Sequence, residues 1–168
     1  MFIYPNKPKR IYDVDTFVKT LGTNWVVQSK WDGKRCHPFC DAQGNITMYS
    51  RHKTIFKGNW KYLSSVPFKK PWYLDGELLS DNRIVIWDIA TIGGKNIYSR
   101  PYRERLALFD FDTDAFKISD TLPASEYKKL LYGDSKIEGV VFKNLDATNF
   151  WGVFSTNEVY SQFKYRLR

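Results

Sequence analysis

Sulfur, histidine and long apolar runs are all scarce in this 168-residue chain, which carries only 2 Cys, 2 Met and 2 His. No window approaches the roughly eighteen uninterrupted apolar residues of a membrane-spanning helix, and the opening Met-Phe-Ile-Tyr-Pro-Asn-Lys lacks a secretory apolar core. The expectation is a soluble protein of the cytoplasm or another reducing compartment, with no membrane partner. Cys36 and Cys40 flank His37, but tetrahedral zinc needs more ligands than this segment offers, so two reduced thiols are expected. Internal repeats, low-complexity tracts and linkers are missing too, and residues 1–168 read as one domain. Acidic residues are outnumbered: 26 Lys and Arg face 18 Asp and Glu, and the net charge of +8 selects polyanionic partners such as nucleic acid and nucleotides.

What the chain has is apolar and aromatic material, 43% hydrophobic residues with 12 Phe, 11 Tyr and 6 Trp, enough for a sizeable core. The basic, proline-containing first ten residues read as an arm, and 13–21 as a short amphipathic helix stopped by Gly22. Strands are predicted over 25–30, 35–40 and 46–50, the last two paired across Asp41-Ala42-Gln43-Gly44-Asn45. Further strands are predicted over 72–79, 83–89, 136–143 and 159–166, with helices over 101–109 and 124–131. The fold class is therefore α+β, mainly antiparallel sheet flanked by a few helices. Trp60, Trp72, Phe109, Phe111 and Phe116 belong to no motif and are assigned to the core.

Four segments put charged residues at strand ends beside glycine or an aromatic: Lys30-Trp31-Asp32-Gly33-Lys34-Arg35, Leu74-Asp75-Gly76-Glu77, Glu138-Gly139-Val140-Val141-Phe142-Lys143 and Phe163-Lys164-Tyr165-Arg166. In this order they resemble motifs I, III, IV and V of the covalent nucleotidyltransferase superfamily, the DNA ligases, RNA ligases and mRNA capping enzymes. Tyr49-Ser50-Arg51 looks like motif Ia and Ile84-Val85-Ile86-Trp87-Asp88-Ile89 like motif IIIa, so the resemblance runs from Lys30 to Arg166. It implies a ligase-type adenylation domain with Lys30 as nucleophile, ATP as nucleotide and Mg²⁺ or Mn²⁺ as metal.

The chemistry is consistent with that resemblance. A lysyl phosphoramidate requires a neutral amine, yet a lysine with a pKa of about 10.4 is neutral in under about one molecule in a thousand at pH 7. Neighbouring cations would disfavour the ammonium, and Lys143, Lys164 and Arg166 are the candidates if their strands meet Lys30. The same cations could hold the α-phosphate. A divalent ion would neutralise the phosphoryl oxygens, with Glu138 as first ligand and Glu77 as the second acidic candidate. By resemblance, Glu77 instead binds the ribose, Arg35 and Arg51 contact sugar or phosphate oxygens, and Trp87 stacks on the purine. Gln28 could read the purine edge, but its amide both donates and accepts, so adenine and guanine stay open.

The sequence stops two residues after Arg166, and the resemblance implies a catalytic domain without the C-terminal oligonucleotide-binding (OB) barrel and motif VI. A monomer is expected, with a partner protein as a possible substitute for the barrel. The functional expectation is an ATP-dependent ligase joining 5′-phosphate and 3′-hydroxyl ends of nicked duplexes or RNA, the sugar undecided. Two alternatives stand beside it: a GTP-dependent capping guanylyltransferase and a non-catalytic nucleic-acid-binding module. The Lys69-Lys70 pair is expected to touch phosphate backbone without reading sequence.

Overall fold

Two-residue alternation along the strands sorts the side chains into apolar layers and one polar face. The computed structural model describes residues 2–3, 6–148 and 158–167. Its strands are β1 (Lys7–Arg10), β2 (Trp25–Trp31), β3 (Lys34–Cys40), β4 (Ile46–Ser50), β5 (Trp72–Leu78), β6 (Ile84–Ile92), β7 (Lys95–Asn96), β8 (Lys117–Ile118), β9 (Thr121–Pro123), β10 (Ile137–Asn144) and β11 (Glu158–Arg166). The helices are α1 (Val14–Lys19), α2 (Tyr102–Ala107) and α3 (Tyr127–Leu131), with 3₁₀ turns at Lys61–Ser65 and Ala124–Glu126.

The strands form two sheets. The first has the order β1-β11-β10-β2-β9, the second β4-β3-β5-β6-β7 with β8 beside β6. Val27 of β2 and Val140 and Phe142 of β10 point to the helix side of the first sheet, against Val14, Tyr127, Leu130 and Leu131. Cys36, Met48, Trp72, Leu74, Ile86, Phe109 and Phe116 form the core of the second. Each large apolar side chain fully buried there contributes about 1.5–3 kcal/mol, so these layers carry the fold and leave the opposite faces available for polar groups. Trp31, Leu79, Val85 and Ile137 tie the sheets together where the chain passes from β2 into β3.

Where sequence pattern was strong, the elements match it. α1 begins at Asp13, whose Oδ1 accepts the Thr16 amide at 3.0 Å. It ends at Thr20, before the expected Gly22, because the Thr20 hydroxyl donates to the Phe17 carbonyl at 2.7 Å and closes the last turn. β6 runs past Ile89 to a Gly93-Gly94 turn in which both glycines have positive φ, 58° and 73°. Trp72, Phe109 and Phe116 are buried, with Trp60 and Phe111 packed against them.

The amino-terminal arm is corrected: residues 7–10 form β1, which runs parallel to β11. A four-residue strand is too short to show alternation, and Pro8 masks it further, although an edge strand accommodates a proline. The same shortness concealed β8 and β9. Alternation in β3 also separates the cysteines from the histidine. Cys36 and Cys40 enter the core, while His37 faces the other way and stacks on Tyr73 with centroids 5.8 Å apart.

Candidate active site

Between the sheets lies a cavity of about 480 Å³, a size suited to a small-molecule ligand. Its lining follows from strand alternation. The first sheet contributes Gln28 and Lys30 from β2, Lys143 from β10, and Lys164 and Arg166 from β11. The second contributes Arg35, Glu77 and Trp87, with Arg51 from the turn after β4. All nine of these expected residues line one cavity, and Glu138, the tenth, pairs directly with Lys30.

Lys30 is the next-to-last residue of β2, opposite Gly139 of β10. Burial pulls its ammonium down to about 8, helped by Arg166 and Lys164 and opposed by Glu77 and Asp32. Contact with Glu138 works the other way, holding the charged form. Arg166 also approaches Glu138, at 3.8 Å, so the carboxylate is shared between the amine and a guanidinium. Gly33 admits the tight crossing into β3. A Cβ there would lie 2.6 Å from the Leu78 carbonyl oxygen and 2.8 Å from Glu77 Cγ. Glu77 itself is pushed up to about 7 by burial, against the pull of Lys30 and Arg35.

Lys143 is corrected as a neighbour of Lys30. It faces Val26 in the register while Gly139 faces Lys30, four residues or about 13 Å along the strand. Its Nζ lies 5.6 Å from the Trp87 ring centroid and 4.9 Å from that of Tyr102, and burial lowers it to about 8 despite Asp88 and Asp75. It therefore supplies charge at the Trp87 end of the cavity. Trp87 is half-buried and anchored by its Nε1, which donates to Asp75 Oδ2 at 3.1 Å. Asp75 also takes both the Nε and Nη2 of Arg35, at 2.9 and 2.6 Å. Burial alone would raise the Asp75 carboxyl, but Arg35, His37 and Lys143 together hold it low.

Arg51 is exposed and donates from Nε to His52 at 2.9 Å. Lys69 and Lys70 lie at the other end of the second sheet, where Lys69 accepts the Gly93 amide and stands outside the cavity lining. The motifs pointed toward neither Lys7, Pro8, Tyr102 nor Thr121. Lys7 and Pro8 reach the cavity through β1, and Tyr102 and Thr121 hold Gln28. Strand pairing brings Lys7, Pro8 and Thr121 there and α2 carries Tyr102; the Asp in Leu74-Asp75-Gly76-Glu77 was visible but had no role attached.

No family model and no curated protein matches the chain. Solved structures do. The ligase domain of M. tuberculosis LigD aligns with 96% of this chain and 59% of its own, at 18% identity and a TM-score of 0.68. A mycobacterial DNA ligase D complexed with ATP and MES aligns over 95% of this chain and 60% of its own, at 18% identity and TM-score 0.63. An archaeal ATP-dependent RNA ligase aligns over 95% and 47%, at 16% identity and TM-score 0.58. The chain thus spans about three-fifths or less of the length of these ligases. Its fold, with two sheets closing on a lysine-bearing cavity, is that of the nucleotidyltransferase domain of ATP-dependent DNA and RNA ligases.

Proposed function

We propose that this chain catalyses ATP-dependent polynucleotide ligation through a covalent Lys30–AMP intermediate. The observation that carries the reading is the state of Lys30, a cavity-lining amine whose ammonium is lowered to about 8 by burial and by Arg166 and Lys164. At pH 7 about one molecule in ten then holds a neutral amine, a gain of over a hundredfold on a free lysine. The fold likeness to ATP-dependent ligases, one of them bound to ATP, supports the choice of nucleotide.

In the first step Lys30 Nζ attacks the α-phosphorus, the bond to the β-phosphate oxygen breaks and pyrophosphate leaves, while Nζ sheds a proton. A 5′-phosphate oxygen then displaces Lys30, which takes a proton back, leaving an adenylated end. A 3′-hydroxyl oxygen, giving up its proton to solvent, then attacks the 5′-phosphorus of that end, the bond from this phosphorus to the bridging oxygen breaks, and AMP departs with that oxygen. Arg166 and Lys164 offset charge at the phosphates, Arg35 and Arg51 offer further donors, Glu77 is the ribose acceptor and Trp87 the stacking face.

Among the described residues no group of three or more carboxylate, histidine or cysteine ligands gathers. Glu138, beside Lys30, instead suits a hard cation whose shell is completed by water and phosphate oxygens, with Glu77, a buried carboxylate pushed up to about 7, as the alternative ligand if it does not take the ribose. Mg²⁺ or Mn²⁺ held there would neutralise charge developing on the phosphoryl oxygens.

The test is incubation with α-labelled ATP and Mg²⁺ followed by denaturation. Label is expected on the wild-type chain and none on Lys30→Ala; label that persists on the variant overturns the mechanism. Sealing of nicked duplexes with ribose or deoxyribose on each side of the nick then identifies the polynucleotide.

A further inference from the structure

Alternation fixes which way the outer edge of the first sheet faces. Along β11, Phe163 and Tyr165 pack into the helix-side layer while Lys164 and Arg166 line the cavity. β1 lies beside β11 with Arg10 opposite Lys164, and the Ile11 amide donates to the Lys164 carbonyl at 2.9 Å. Ile11 joins the same helix-side layer, so Arg10 and Tyr12, on either side of it, stand on the cavity face at the rim. Their contact agrees: the Arg10 guanidinium carbon lies 5.0 Å from the Tyr12 ring centroid. Tyr12 is 79% exposed, the most exposed large apolar side chain among the described residues. It joins none of the apolar layers described, so core packing does not account for it.

We infer that Arg10 and Tyr12 form a stacking platform for an unpaired base of the strand that carries the 5′-phosphate, a contact that an end with a single-stranded flank can make and a nick in continuous duplex cannot. An aromatic face offers stacking area to any base, and an arginine beside it adds a donor for phosphate. Charge leads the strand there. Arg166 lies across Gly139 from Lys30, Lys164 is two residues back on β11, and Arg10 stands opposite Lys164, so cations run from Lys30 to the ring. From β2 to β1 is three strand spacings, about 14 Å. A stacked strand advances about 3.4 Å per nucleotide, so a 5′-phosphate at Lys30 brings a base to Tyr12 about four nucleotides in. Bases flanking a nick stay paired and stacked on their neighbours, and only an unpaired base is free to turn onto the ring. This inference rests on the ligase reading above and names a substrate class that reading leaves open.

The test measures dissociation constants of the whole chain, by fluorescence anisotropy, for 5′-phosphorylated probes of one sequence. The probes are a single strand of about twelve nucleotides, the same strand made abasic around its fourth nucleotide, and a nicked duplex. The intact single strand should bind about five- to 150-fold more tightly than the abasic one, and Tyr12→Ala should erase that difference while leaving the nicked duplex unchanged. Tyr12→Trp should keep the difference. Arg10→Gln should flatten the slope of log Kd against log salt for the single strand by about 0.7, the loss of one phosphate contact. An abasic strand bound as tightly as the intact one overturns the platform, as does a Tyr12→Ala chain that still tells them apart. A nicked duplex weakened by Tyr12→Ala as much as the single strand overturns the need for an unpaired base. If label from ATP still appears on Lys30 in these cases, only the platform has failed; base-dependent binding at Tyr12 with no label on Lys30 keeps the platform and removes the ligase reading.

Discussion

At the scale of single residues, the site turns on what sets the charge of one amine. Lys30 is lowered first by burial and then by Arg166 and Lys164. In the proposed mechanism the neutral form attacks, so self-adenylation should rise with pH through about 8 and then level. Arg166→Ala removes a repelling cation, so its rise should move to higher pH and its rate at pH 7 should fall by about tenfold. Lys143→Met should leave the midpoint in place, because Lys143 sits about 13 Å along the sheet from Lys30. Single-turnover labelling across pH 6–10 checks this, and equal shifts in both variants would contradict it. Lys30 and its cationic neighbours were legible as residue types. The ion pair with Glu138 was not, because which oppositely charged groups meet depends on strand register.

At the scale of elements, the site depends on β10 serving as a spacer between β2 and β11. Gly139 faces Lys30 on one side and Arg166 on the other. A Cβ at this position would overlap the Tyr165 carbonyl oxygen, which is backbone and cannot rotate aside. Gly139→Ala should therefore cost about 2–3 kcal/mol in urea denaturation and displace β11. It should also slow labelling by more than tenfold, through loss of Arg166 and Lys164 from the lysine. A variant with native stability and activity would show that β11 yields freely. The long strands and the capped α1 were readable because their periodicity and turn chemistry extend over many residues. The four-residue β1 and the two- and three-residue β8 and β9 were not, since so short a segment is made a strand by its neighbours.

At the scale of the whole molecule, two buried titratable groups oppose each other. Burial lowers His37 to about 4, so the unfolded chain takes up its proton first and stability falls as pH drops from about 6.5 to 4. Alone this amounts to about 3 kcal/mol. Burial raises Glu77 to about 7, so the folded chain takes up its proton first and stability grows as pH drops from 7 toward 4.5. The two nearly cancel, and wild-type stability should be flat between pH 6.5 and 4.5. Glu77→Gln should lose stability as pH drops from about 6.5 to 4, with nothing to offset His37; urea titrations that run parallel for both proteins over that range would refute this balance. The sequence by itself determined the order of the motifs, the main strands, the α+β class and the lysine proposed as nucleophile, because these are written in local spacing and residue chemistry. Only the tertiary structure decided that the motifs divide between two sheets, that β1 helps line the cavity, that Lys143 lies away from Lys30, and that Tyr102 and Thr121 hold Gln28. Those outcomes depend on which distant backbones share hydrogen bonds, and a residue's position in the chain does not specify its partner across a sheet.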